Sequence, residues 1–216
     1  MPLFIEKPRD YFSGLLFFHK RCILSVMERA VKTEEYGLAR YFLLTVTLSM
    51  LGWAFETVWM RIATWQFIRR GFLSLPLCPI YGCSLLIVYA LVGTPKQGGW
   101  LLNKISKPKT RYILYALFTF LIPSVMELLV GVFFYRAFHL RLWDYSYKRL
   151  QIGGVVCLRN SFVWSALIFL FMNFAFTAIR KAIGWLPNKA SKWLGLLLFA
   201  LILADFSLQI ALTIYK

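Results

Sequence analysis

Long apolar runs alternate along the chain with short connectors rich in Lys, Arg and aromatic residues. Five runs stand out, at 41–60, 77–93, 112–135, 161–179 and 193–215; three carry one carboxylate and no other charge, and two carry no charge. A helix rises ~1.5 Å per residue and the hydrocarbon core of a bilayer is ~30 Å thick, so about 20 apolar residues make one span. Backbone amides and carbonyls in hydrocarbon find partners only along their own helix, so each run is expected to be helical. The pattern therefore predicts an all-α polytopic membrane helix bundle of about five transmembrane helices, spanning 41–216. Residues 1–40 precede it as a cytoplasmic or interfacial amphipathic segment. "YFSGLLFFHKRCIL" is too short in its apolar core for a secretory signal, and no small-x-small site follows it. It reads as an interfacial helix with Lys20, Arg21, Arg29 and Lys32 toward phosphates, or equally as a tail or a sixth buried helix.

Composition agrees with this class, since 60% of the 216 residues are hydrophobic. The net charge of +16 comes from residues in the connectors, where it marks a membrane rim rather than a nucleic-acid surface. Residues 1–40, 94–111 and 180–192 hold sixteen Lys and Arg, against nine in 61–76, 136–160 and the last residue. The positive-inside rule then places the N-terminus in the cytoplasm and the C-terminus outside a bacterial inner membrane. Membrane lipids are the expected partners, and no nucleic acid is expected.

Several chemistries lack their signatures. No glycine-rich phosphate loop is present, so an ATPase activity would have to come from a separate subunit. Cys22, Cys78, Cys83 and Cys157 lack paired metal-ligand spacing and the two histidines are isolated, so neither a metal nor another cofactor is expected. Cys78 and Cys157 share the predicted outer side, where a disulfide is chemically permitted, although packed thiols are the default.

The informative residues are charges at membrane depth. Glu56 in "LGWAFETVW" and Glu127 in "IPSVMELLVG" each cost roughly 2.5–3.5 kcal/mol or more unless they face protein or water. One reading is a pair of structural Glu–Arg contacts; the other is a polar cavity opening outward, in which two carboxylates suit proton relay or a cationic group. Arg70, Tyr81, Asp144, Tyr145 and Arg159 are the expected co-lining residues, with Asp144 holding Arg70 or Arg159. Asp205 is a third carboxylate at depth and reads as a packing or accessory group. The break in "RRGFLSLPLCPIYGCS" is expected to cap and line the mouth of the second helix. There Pro76 and Pro79 end helical structure and Gly71 and Gly82 admit close backbone approach, while Gly153 and Cys157 hold equivalent places in the other half. In both halves a glutamate-bearing helix leads through a basic aromatic connector to Gly, Cys and the next helix, which hints at a parallel two-helix repeat.

The strings Gly52-Trp53 with Glu56, "RGFL" (70–73), "PIYG" (79–82), Glu127, "LWDYS" (142–146), "GG" followed by Cys157-Leu158, and Ser161 with Trp164 resemble, in order and spacing over about 41–180, the bacterial family labelled Putative ABC-transporter type IV. Leu75-Pro76 stands where that pattern has Gly-Pro, and Gln151 where it has Asn. The resemblance implies a multi-pass bacterial permease working with a separate ATPase. Since five helices make a thin pathway, a homodimer is expected. Two other functions remain open: an integral membrane enzyme on lipid or lipid-linked substrates, with Glu127 or Asp144 as base and Arg70 or Arg159 on a phosphate, and a non-catalytic membrane partner of another protein.

Overall fold

A computed structural model describes residues 37–66 and 71–214. Six helices carry almost all of the regular structure among them: α1 (Gly37–Thr64), α2 (Pro79–Val92), α3 (Pro108–Phe138), α4 (Leu158–Phe174), α5 (Phe176–Gly184) and α6 (Asn188–Ile214). A two-stranded antiparallel hairpin, β1 (Gln151–Ile152) and β2 (Val156–Cys157), interrupts the connector before α4. The expected N-terminal interfacial helix, Arg69 and Arg70 lie outside the described residues.

By length and composition α1, α3 and α6 can each cross a membrane, and α4 with α5 forms a bent fourth candidate. The run expected at 77–93 yields an α2 of only 14 residues, about 21 Å against a ~30 Å core. Its bounds are chemical. Cys78 is the extended N-cap, Pro79 occupies the first turn where its missing N–H costs nothing, and Gly93 at φ +80° turns the chain out at the other end. The run expected at 161–179 is broken at Ala175, and α5 leaves α4 at 51°. No Pro or Gly marks this bend. Beyond it the sequence turns amphipathic, burying Phe176 and Ile183 while Lys181 and Trp185 stay exposed.

Helix α3 is the hub, packed against α2 on one side and α4 on the other. Tyr115 of α3 is fully buried and its hydroxyl donates to the Gly93 carbonyl at 3.1 Å, tying the end of α2 to α3. Pro123 removes the amide that would bond the Thr119 carbonyl. In the same turn the Thr119 and Ser165 hydroxyls meet at 3.1 Å and join α3 to α4. Small residues set the α1–α2 approach, as is usual where helices associate without a hydrophobic driving force. A Cβ at Gly82 would collide with the Thr45 carbonyl and the Ser49 hydroxyl, so only glycine fits.

Between α1 and α2, residues 71–78 form an irregular loop seated against other helices. The Cys78 amide donates to the Ser49 carbonyl, near the middle of α1, at 3.2 Å. The Leu75 amide donates to the Asp205 carboxylate of α6 at 3.0 Å, and Gln209 Nε2 donates to the Ser74 hydroxyl at 2.6 Å. Phe72 packs edge-on against Phe134 of α3 and Phe206 of α6. Asp205 lies nine residues before the end of α6, roughly 14 Å along its axis. The loop thus reaches the middle of α1 and the interior of α6, and it leads into the short α2 where the sequence pattern predicts one straight span.

Gly82→Ala is expected to force α1 and α2 apart and destabilise the protein by about 1–3 kcal/mol, the usual cost of overpacking, read from unfolding midpoints in detergent. Gly98→Ala is the control, since its Cβ would meet nothing nearer than 3.4 Å, and its midpoint should stay at the wild-type value.

Candidate functional site

Glu56 projects from the second half of α1 and Tyr81 from the first turn of α2. The Tyr81 hydroxyl donates to Glu56 Oε2 at 2.6 Å, the short distance of a hydrogen bond to a carboxylate. Gly52, one turn before Glu56, makes this possible, because a Cβ there would fall 2.5 Å from the Tyr81 ring. The far side of that ring packs on Trp164 of α4, with centroids 5.1 Å apart, and Phe55 meets the same indole at 6.0 Å.

Glu127 of α3 forms a second carboxyl–phenol pair with Tyr145, which also pairs with Asn160 of α4. Glu56 and Glu127 lie close enough for their charges to interact, and Tyr145 feels both. Tyr81 in turn feels Tyr145. Two carboxyls, two phenols and an amide, drawn from α1, α2, α3, α4 and one connector, therefore form one polar cluster inside an apolar bundle. Burial first and the charge of Glu127 second push the Tyr145 phenol above its ordinary value, so at neutral pH it is a proton donor to the carboxyl. Among the described residues no basic side chain forms an ion pair with Glu127.

The hairpin connector carries Tyr145 to this position. Gly153 and Gly154 both have positive φ, +60° and +73°, and the Val155 amide donates to the Ile152 carbonyl at 3.0 Å, which makes a two-glycine turn of the mirror-image type. Gln151 Oε1 accepts the Gly154 amide, so this side chain shapes the turn. The Gly154 carbonyl accepts the Tyr145 amide at 2.7 Å, and Trp143 Nε1 donates to the Val155 carbonyl at 2.7 Å. At Gly131 a Cβ would strike Val155, so this glycine lets the hairpin lie on α3.

Other expected lining residues lie elsewhere. Asp144 is exposed; it accepts the Ser146 amide at 2.8 Å and pairs with Arg141 at 3.3 Å rather than with Arg159, and Arg70, its other expected partner, lies outside the described residues. The Ser146 amide first, then Arg141, holds its carboxyl below the usual carboxylate range. Arg159 is also exposed, in the first turn of α4. Gly71, at φ +84°, begins the described part of the loop, Pro76 and Pro79 bound its last turn, and Cys157 is buried at the end of the hairpin. Cys78, Cys83 and Cys157 are free thiols, so the Cys78–Cys157 bond does not form. Asn160, the loop-holding role of Asp205 and the seat of Tyr81 on Trp164 escaped the sequence reading. For Asn160 the signal was its place one turn before Trp164 in "CLRNSFVW". Among the described residues no group of His, Cys, Asp and Glu has the makings of a metal site.

A double-mutant cycle checks the first pair. Tyr81→Phe and Glu56→Gln should each destabilise the protein, and the double variant should lose less than their sum by about 1.5–3 kcal/mol, the usual worth of a hydrogen bond to a charged group.

No curated protein and no solved structure matches the chain. The family described as Putative ABC-transporter type IV matches residues 42–210. That range holds all five members of the polar cluster, the Trp164 ring beside it, the loop 71–78 and the Asp205 contact that seats it. The chain is a membrane protein of ABC-transporter type and belongs to this family.

Proposed function

We propose that this chain is a permease-like subunit in which Glu56, Tyr81, Glu127, Tyr145 and Asn160 line the path of a proton or small cationic solute. The observation that carries the reading is the meeting of two carboxyl–phenol pairs at one place. Each carboxyl has a neutral phenol donor, and the charge of Glu56 disfavours a second charge on Glu127, so a proton or cation taken up at Glu127 relieves an interaction that the apolar surroundings strengthen. A purely structural acidic group is more economically built with one carboxylate.

In this reading the bundle 41–216 is the working domain and 1–40 an accessory segment on the cytoplasmic side of a bacterial inner membrane. The balance of sixteen basic residues against nine supports a cytoplasmic N-terminus. The hairpin connector and Tyr145 then face outward, and the C-terminus lies outside. Even with α2 and its loop counted as a fifth, shorter crossing, the helices enclose little volume, which supports a homodimer. With no phosphate loop of its own, the chain takes its energy from a separate ATPase subunit.

Reconstituted into vesicles holding a pH-sensitive dye, the wild-type protein should dissipate an imposed pH gradient, and Glu56→Gln and Glu127→Gln should slow this at least about tenfold, the factor that 1.4 kcal/mol represents, with insertion unchanged. Equal rates in wild type and both variants would remove the glutamates from the path.

A further inference from the structure

The end of the bundle away from the hairpin has a character that the polar cluster does not explain. Helices α1, α3 and α6 begin there, and α2 and α5 end there. The two stretches that close it, 94–111 and 180–192, hold five and four Lys or Arg and not one Asp or Glu. Geometry draws them together. The Lys96 ammonium lies 5.9 Å from the Phe174 ring centroid at the α4–α5 bend, and the Arg180 guanidinium lies 5.2 Å from that of Tyr89, which itself packs on buried Phe176 at 4.7 Å. The aromatic faces fix where these cations sit.

Large aromatic residues at the same end of the bundle are open to their surroundings: Phe174, beside Lys96, is 71% exposed, Trp185, four positions after Lys181, 78%, and Trp193, in the first turns of α6, 73%. Exposed Trp beside exposed Lys is the pattern of a membrane interface, where the ring lies among headgroups and the ammonium reaches the phosphate. Helix α5 fits that setting. It leaves the axis of α4 by 51°, buries Phe176 and Ile183 inward and presents Lys181 outward. An acidic protein partner would find the charge but would leave the three aromatics unexplained.

We infer that the α4–α5 bend, with the 94–111 connector, is a binding shelf for the headgroup of an anionic glycerophospholipid, and that α5 lies in the membrane interface. Lys96, Arg180 and Lys181 meet the phosphate, while Phe174 and Trp185 lie against the glycerol and upper acyl region. The inference is independent of the permease reading, because it uses neither glutamate.

The test is native mass spectrometry of the full chain released from nanodiscs of mixed phosphatidylcholine and phosphatidylglycerol, comparing wild type, Lys96→Gln, Lys181→Gln and Lys181→Arg. Wild type should retain phosphatidylglycerol in preference to phosphatidylcholine, and less of it as salt is raised. Each Gln variant should lower that preference about fivefold, the equivalent of ~1 kcal/mol per basic residue near the surface. Lys181→Arg should keep it, and all variants should unfold at the wild-type midpoint in zwitterionic detergent. Equal retention of the two lipids by wild type, an unchanged preference in both Gln variants, or full displacement of the lipid by millimolar inorganic phosphate would overturn the inference.

Discussion

In hydrocarbon an amide or carboxylate has no water to turn to, and the rest of this structure follows from meeting that need internally. Residues 71–78 are non-helical, yet they reach the middle of α1 and the interior of α6. Three of their amides have acceptors at hand. Leu75 donates to Asp205, Leu77 to the Leu75 carbonyl at 2.7 Å, and Cys78 to the Ser49 carbonyl. Pro76 and Pro79 have no amide to satisfy. Proline in this loop is thus economical, since every position without a donor is one fewer group needing a partner at depth.

The three carboxyls within the apolar runs obey the same rule. Glu56 accepts from the Tyr81 phenol, Glu127 pairs with the Tyr145 phenol, and Asp205 accepts a backbone amide. At Glu127 and Asp205 a neutral donor satisfies the carboxyl without importing a second charge that must itself be desolvated, and burying an ion pair is often no gain over leaving it out. Two of these pairs converge, and it is on this convergence that the proposed exchange of a proton or cation rests.

The sequence makes much of this architecture legible and conceals particular parts for physical reasons. Apolar runs with one carboxylate each announce spans, and α1, α3 and α6 follow from them directly. The run 77–93 looks long enough only because Leu77 and Cys78 are apolar; Pro79 and Gly93 mark the true ends of α2. The bend at Ala175 has no Pro or Gly to announce it, and only the change from apolar to amphipathic sequence hints at it. Glu56 and Glu127 were visible as costly residues, but their partners sit 25 and 18 positions further along, on elements whose approach depends on Gly52, Gly131 and the Gly153–Gly154 turn. Asp205 drew no partner from its neighbours because its donor, Leu75, lies 130 residues away. Asp144 is met by a short-range amide and by Arg141, three residues back, so among the described residues this exposed carboxylate does not turn to the distant Arg159.

The most direct test of this account is amide hydrogen exchange over residues 71–78 in lipid nanodiscs, in wild type and in Asp205→Leu. Slow exchange at Leu75, Leu77 and Cys78 in wild type, with Leu75 becoming fast once the carboxylate is gone, is the result predicted for a loop held at depth by α6. Fast exchange throughout the loop in wild type, or rates indifferent to the loss of Asp205, would show that the segment lies in water and that its contacts with α6 do not hold it.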